Sequence, residues 1–539
     1  MALSEQIHTK RAAAASFLAP LRHPAYRALW IASLASNLGG WMQDMGAAWL
    51  MTTLTPSPVL IALVQAATSL PVFFLAIPAG ALADIVARRR VLLLSNIWAL
   101  ASVVALTYFT LAGGISPAIL LALTFSVGIG ATLEGPALQA VVTELVSHAE
   151  LPAAVALNSA GYNLARAIGP AAGGIILARA GAGANFFINS LTFFVVLIVL
   201  YRWKEQPVKS VLPAERFTGA VRAGLRYLGY APAFRAVLVR SGAFILFGSA
   251  LWALLPVLVR TAGRGPSTYG MLLGALGAGA LIGAGCLPFV KRHTSLDRLV
   301  IGGTLLFGAV TLISPLSHQI GLLIVTMLAG GFAWMLLISS LNVAARMVVP
   351  AWVQARCLAV YLLIFQGGMA VGSFGWGLLA QHAGVRWALV WAGVGLMLTV
   401  ALARRYALQP GLALNLTPAG NWPEPEISPD QSPAETPVLV TIEYEIDPAQ
   451  TDEFVSGMGK MEQVRRRNGA LQWGLFTDAT RPGRQLEEFL VESWIEHLRQ
   501  LERFTAADKI VEDRILALHK GAEPPRVTHY MAEERESSQ

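Results

Sequence analysis

A chain of 539 residues, 55% hydrophobic and only 13% charged, with a mean hydropathy of +0.57, is too apolar for a soluble globular protein. Its formal charge of +8 does not indicate nucleic acid, because residues 1–409 hold 27 Lys and Arg against 9 Asp and Glu, and the remainder 13 against 23. That split marks membrane loops followed by an acidic soluble tail, not a basic binding face.

In chain order, twelve segments are long and apolar enough to cross a bilayer core of ~30 Å, which takes roughly 20 residues of helix. They lie at about 26–54, 58–82, 91–112, 116–143, 153–179, 184–202, 236–259, 267–290, 298–315, 319–345, 356–382 and 386–404. No short apolar core with a cleavage site precedes the first, so no removable signal peptide is expected. With the N-terminus inside, 22 of the 27 Lys and Arg of the membrane part fall in or beside cytoplasmic segments, including Lys10, Arg11, Arg22, Arg27 and Arg88–Arg90. The inverse topology puts all of them on the wrong side, so both termini are expected in the cytoplasm.

The expected organisation is a six-helix half over 1–202, a cytoplasmic loop over 203–235, a second six-helix half over 236–406, a Pro-rich linker over 407–437 and a soluble domain over 438–532. "FTGAVRAGLRYL" in the central loop has amphipathic spacing suited to a membrane surface. The halves echo one another: residues 144–174 align with 346–376 at a constant offset of 202, each a helix end, a short loop and a Gly-rich helix start. Cys286 and Cys357 are the only cysteines, and neither a disulfide framework nor a metal site follows from them.

Three ionisable residues fall well inside spans: Asp44 in span 1, Glu134 in span 4 and Arg166 in span 5. A charge at such a depth costs a few kcal/mol on insertion scales and usually marks function. Asp44 or Glu134 is a candidate proton carrier with Arg166 setting its pKa; the alternatives are a structural ion pair between helices, or a cation-binding site at Asp44.

Two motifs carry a family resemblance. "GALADIVARRR" (80–90) resembles the major facilitator signature through Gly80, Asp84, Arg88 and Arg89, although Ile85 and Ala87 replace its usual Arg and Gly. "GPAAGG" resembles, through Gly169, Pro170, Gly173 and Gly174, the span-5 motif of facilitator exporters of the antiporter type. Gly80 is expected to permit close helix packing, Asp84 to pair with basic groups across the half interface, and the span-5 glycines to allow tight approach and bending. Thr124 stands where such exporters often carry a span-4 arginine, so that arginine's role does not transfer. The whole chain is similar to the transmembrane secretion effectors, in the branch with the enterobactin and macrolide exporters. The resemblance implies a major facilitator fold, an all-α polytopic membrane protein whose halves enclose a cavity bordered by helices 1, 4 and 5. It also implies a bacterial cytoplasmic membrane location and proton-coupled transport.

"LTPAGNWPEPEISPDQSPAETP" reads as an extended linker. Beyond it, the order βαββαβ, with a hairpin at Pro482-Gly483, is ferredoxin-like and resembles the dimeric α+β barrel domains, which implies a homodimer partner. His497, His519 and His529 look scattered, and Trp473 and Trp494 fit a core. No nucleophile–base spacing indicates an enzyme, and no cofactor is expected. The sequence therefore reads as an exporter of a small amphipathic molecule such as a siderophore or an antibiotic. The alternatives are an importer of a small organic solute, or a membrane-tethered enzyme or sensor.

Overall fold

The computed structural model describes residues 17–147, 149–203, 229–317, 319–408 and 436–532. The amphipathic stretch expected in the central loop and nearly all of the Pro-rich linker lie outside these residues, as does the side chain of Asp84. The chain gathers into two compact units. One takes the residues up to Ala214 with Val239–Asn342 and Tyr361–Ala407; the other takes Glu215–Leu238, Val343–Val360 and the chain from Leu408.

The first helices are α1 (Pro24–Leu54), α2 (Pro58–Ile85), α3 (Arg88–Leu111), α4 (Pro117–Leu145) and α5 (Leu151–Arg202). A second group comprises α6 (Pro232–Thr261), α7 (Pro266–His293), α8 (Leu296–Ile313), α9 (Ile320–Met347), α10 (Ala351–Ala383) and α11 (Val385–Thr399). Among the described residues, ten helices are long and apolar enough to cross a membrane. In hydrocarbon every backbone polar group needs an internal partner, and a helix provides one.

Local chemistry sets the helix ends. Prolines at the start of α1, α2, α4 and α7 supply a pre-set φ where an N–H has no intrahelical partner anyway. Ser116 and Ser295 cap α4 and α8 by accepting from Ile119 N–H and Arg298 N–H. The 52-residue α5 is two helices joined at Gly181, whose φ of +78° breaks the run. The internal echo is visible too, since α4 ends at Leu145 and α9 at Met347, at the offset the sequence shows.

Polar side chains lace the first group together. Asn185 Nδ2 donates to the carbonyls of Met42 and Gly173 at 3.3 and 3.1 Å, and Asn189 Nδ2 to Gln43 Oε1 at 2.6 Å. Tyr26 and Trp30 donate to the carbonyls of Ala154 and Leu157. The start of α1 is thereby fixed to α5.

In the other unit, β1 (Val438–Glu445), α12 (Thr451–Asn468), β2 (Ala470–Thr477), β3 (Arg484–Val491), α13 (Trp494–Glu502), α14 (Ala506–Leu516) and β4 (Arg526–Met531) build an antiparallel sheet in the order β2-β3-β1-β4. Alternating burial along β1 and β3 turns Val438, Val440, Ile442, Phe489 and Val491 onto Phe454, Met458 and Met461 of α12. The hairpin expected at Pro482-Gly483 is present, with Gly483 at φ +90°. The helical segment after β3 is broken in two, and α14 opens on a capping box between Thr505 and Asp508. Within this unit Arg503 stacks 4.5 Å over Trp352, so the tail's chemistry reaches residues that precede the linker.

Candidate functional site

Arg166 of α5 is the centre of the first unit's chemistry. It is 8% exposed, and its guanidinium carbon lies 5.1 Å from the ring of Trp252, 5.7 Å from Trp41 and 5.8 Å from Trp334. These rings come from α6, α1 and α9, so the cage draws on both helix groups. Trp334 packs in turn on Phe244, Phe307 and Phe365, which makes one wall apolar. Arg166 Nε has no acceptor, and neither does Trp252 Nε1.

Asp44 stands three residues after Trp41 on the same face of α1 and is exposed to open space. It interacts electrostatically with Tyr162 of α5 and Tyr269 of α7, and Tyr162 also interacts with Arg166. Asp44, Tyr162 and Arg166 thus form one cluster, yet no ion pair joins Asp44 to Arg166. Glu134 is not part of it, because it sits against Asn96 of α3. The expected constellation of two acids and one base is therefore resolved into one acid near the base and one apart. A small open pocket lined by Trp30, Asn37, Asn158 and Gly161 runs along α1 and α5, reaching to one helical turn before Trp41 and to the residue before Tyr162.

The "GPAAGG" glycines lie where helices meet. A Cβ on Gly169 would stand 2.7 Å from Trp41 Cβ, and one on Gly173 3.1 Å from Met42 Cα, so both glycines seat α1. A Cβ on Gly174 would stand 2.9 Å from Gly270 Cα, which makes this glycine a contact between α5 and α7. The sequence reading missed the matching seam. On α10, Gly377 faces Ala62 and Val59 of α2, and Gly367 faces Phe73. The same end of the bundle is closed by Ser57 Oγ donating to Gln381 Oε1 at 3.0 Å and by Trp49 stacked on Tyr269 at 5.9 Å. The repeat held the clue, since it aligns Gly-rich α10 with α5.

The loop signature works differently from expectation. Gly80 has open space among the described residues where a Cβ would stand. The arginines clamp helix ends of their own group. Arg88 pairs with Glu144 at the end of α4, and Arg89 donates to the carbonyls of Leu200 and Tyr201 at the end of α5. In the second group Arg240 pairs with Asp297, a contact no motif announced.

In the sheet unit, the histidines that look scattered in sequence converge: His497 Nε2 and His529 Nε2 are 3.0 Å apart. Burial, and then the neighbouring His529, push His497 down to about 4, and burial also lowers His529. His519 is separate; its Nδ1 accepts from Glu445 N–H. Buried Glu487 accepts from Arg465, Tyr444 and Trp473, so Trp473 is a hydrogen-bond donor as well as a packing residue, and Trp494 sits in the core as expected. Burial first, and then the Glu487 carboxylate, push the Tyr444 hydroxyl well above its ordinary value.

A bundle of long apolar helices with a polar cluster inside is the architecture of a membrane transporter. Solved structures similar to it include a bacterial homologue of the iron transporter ferroportin in an inward-facing state (TM-score 0.59, 13% identity, 72% of this chain and 99% of that one). A bacterial homologue of the human lysosomal transporter Spinster is similar too (TM-score 0.58, 16% identity, covering 72% and 97%). The sequence profile of the transmembrane secretion effectors matches residues 15–537, and the chain belongs to that family of the major facilitator superfamily. Relatives include the staphyloferrin A transporter of Staphylococcus aureus (26% identical, 52% of this chain, 71% of the relative) and the multidrug efflux pump Tap of Mycolicibacterium fortuitum (24%, covering 66% and 88%). The enterobactin exporter EntS of Salmonella choleraesuis is 27% identical over 49% of this chain and 63% of its own. The protein is a multi-pass membrane transporter and not an enzyme.

Proposed function

We propose that the protein exports a small amphipathic molecule, a siderophore or drug-like compound, from the bacterial cytoplasm in exchange for protons. The relatives named as exporters and efflux pumps support the direction, and the distribution of Lys and Arg supports cytoplasmic termini. Counting α5 as two spans at Gly181 and adding α1, whose Asn37, Gln43 and Asp44 dilute its apolar character, the bundle has twelve spans in two six-helix halves. The seams of α5 with α7 and α2 with α10 then close the outer side. Asp84 works at the gating loop. The sheet unit has ferredoxin-like order and serves as a dimerisation or sensing module.

The observation that carries the coupling is Asp44 itself, a carboxylate at the junction of the two halves with no guanidinium bound to it. A group that trades protons between two sides must stay free to change its charge, which a buried ion pair prevents. Asp44→Asn keeps the shape and fixes the group neutral. In proteoliposomes, the variant should fold and bind a fluorescent compound chosen from a mixed anionic and cationic panel, yet fail to move it uphill under a pH gradient. A folded variant with undiminished pH-driven transport removes Asp44 from the mechanism and leaves Glu134 as the candidate.

A further inference from the structure

The cage around Arg166 holds a cation that the protein does not neutralise. Among the described residues the guanidinium makes no hydrogen bond and no ion pair. Its only neighbours of consequence are three indole faces and the Tyr162 hydroxyl. A guanidinium carries five N–H donors in a planar fork. Ring faces stabilise its charge, by about 0.5–2 kcal/mol for each contact, but they offer no oxygen acceptor to the fork. Leaving buried donors empty costs free energy for each one, and a buried cation without a counter-ion costs more. Trp252 Nε1, also buried and without an acceptor, adds a further donor to the same cluster. Arg166 Nε and Trp252 Nε1, two buried donors without acceptors in one cluster, describe a receptor for an acceptor.

The chain's own acids do not fill it. Asp44 is close enough to interact with Tyr162 but makes no ion pair, and Glu134 faces Asn96. We infer that the Arg166 cage is the cargo site, and that it takes an organic anion: a carboxylate for the guanidinium fork, attached to a flat apolar body that lies between the indoles. The bidentate carboxylate–guanidinium match supplies orientation, and Trp41, Trp252 and Trp334 supply the stacking surfaces. A cationic cargo would meet Arg166 as a like charge. This inference rests on the reading that the junction between the halves is the transport path.

Full-length protein in detergent, titrated calorimetrically with 1-naphthoate, 1-naphthamide and 1-naphthylmethylammonium, tests it, because the three share one ring system and differ in charge. Naphthoate should bind at least tenfold more tightly than the amide, and the ammonium most weakly. Arg166→Gln should erase the difference between acid and amide, while Arg166→Lys should retain part of it. If Arg166→Gln does not fold, Trp252→Phe, which removes one donor and keeps a ring face, should weaken naphthoate threefold or more. Three results overturn the inference: tightest binding of the ammonium, an acid preference that survives Arg166→Gln, or no naphthoate binding at millimolar concentration. The first leaves the transport path standing and changes only the cargo's charge. Absence of all three ligands, together with absence of pH-driven efflux from the dye panel, overturns the transport reading as well.

Discussion

Gly174→Ala should pry apart the seam between α5 and α7. The added Cβ would stand 2.9 Å from Gly270 Cα and 3.0 Å from the Pro266 carbonyl, both backbone atoms that cannot rotate away. Carbon atoms prefer ~3.5–4.0 Å, so the helices must separate by roughly half an ångström or more. Overpacking of this kind costs about 1–3 kcal/mol. The penalty applies only in the conformation where the seam is closed, so it shifts the population toward the open one by about 5- to 150-fold. Ser57 and Gln381, hydrogen-bonded across the same end of the bundle, provide the reporter. With Cys286 and Cys357 replaced by Ser, a Ser57→Cys/Gln381→Cys pair should cross-link efficiently with a short bifunctional reagent. Adding Gly174→Ala should cut that yield several-fold, whereas Gly135→Ala, where the space is open, should not. An unchanged yield in folded Gly174→Ala protein would refute the idea that this glycine sets how closely the two groups meet.

The remaining predictions concern the tail and the loop. His497 is neutral in the fold down to about 4 but takes a proton near 6.5 when unfolded. Between those values the unfolded chain therefore binds the extra proton, and the sheet unit loses stability as pH falls from about 6.5 to about 4, by up to ~3 kcal/mol from this group. Thermal melts of the full chain should show the loss, and His497→Asn should flatten it; an equal slope in the variant would assign it elsewhere. Arg89→Ala removes two hydrogen bonds to the carbonyls ending α5 and should cost about 1–3 kcal/mol, read as a lowered melting temperature. Asp84→Asn should leave insertion intact and slow transport, and undiminished export would count against a gating role for Asp84. Deleting 438–539 should leave an inserted transporter but expose Trp352, which Arg503 covers, so aggregation should rise; a monodisperse truncation would show that contact to be dispensable.

Much of the membrane part was legible because a bilayer allows few solutions. Long apolar runs must be helices, and the helix ends fall at prolines and serines that the sequence displays. The strands were legible because apolar and polar residues alternate along β1 and Pro482-Gly483 marks the turn between β2 and β3. The break between spans 5 and 6 was legible as well, since Gly181, at φ +78°, falls between the expected spans 153–179 and 184–202. Gly80 shows a limit, since nothing among the described residues stands against it. A glycine in a motif signals that a Cβ is absent, not that anything occupies its place, whereas Gly174 and Gly377 do have backbone against them.

The site shows where sequence reasoning stops. Intramembrane charges are rare enough to be found by inspection, so Asp44, Glu134 and Arg166 stood out at once. Which of them meet depends on helix rotation, and apolar runs record rotation poorly, because a helix buried on several faces has no clear polar stripe. Glu134 consequently turned toward Asn96, while Asp44 and Arg166 came near one another through Tyr162 without pairing. The indoles carried the missing information. Trp41, Trp252 and Trp334 lie 211 and 82 residues apart in sequence, so no local pattern links them, yet each brings a ring to one guanidinium. On the proposed reading this separation has a consequence for transport. A cage drawn from both halves is complete only while the halves are packed as they are here, so a rocking motion that opens the α5–α7 and α2–α10 seams also takes ring faces away from Arg166. Cargo affinity would then fall in the conformation from which cargo must leave, and Asp44, freed from competition with the anion, would meet the opposite side ready to take up its proton.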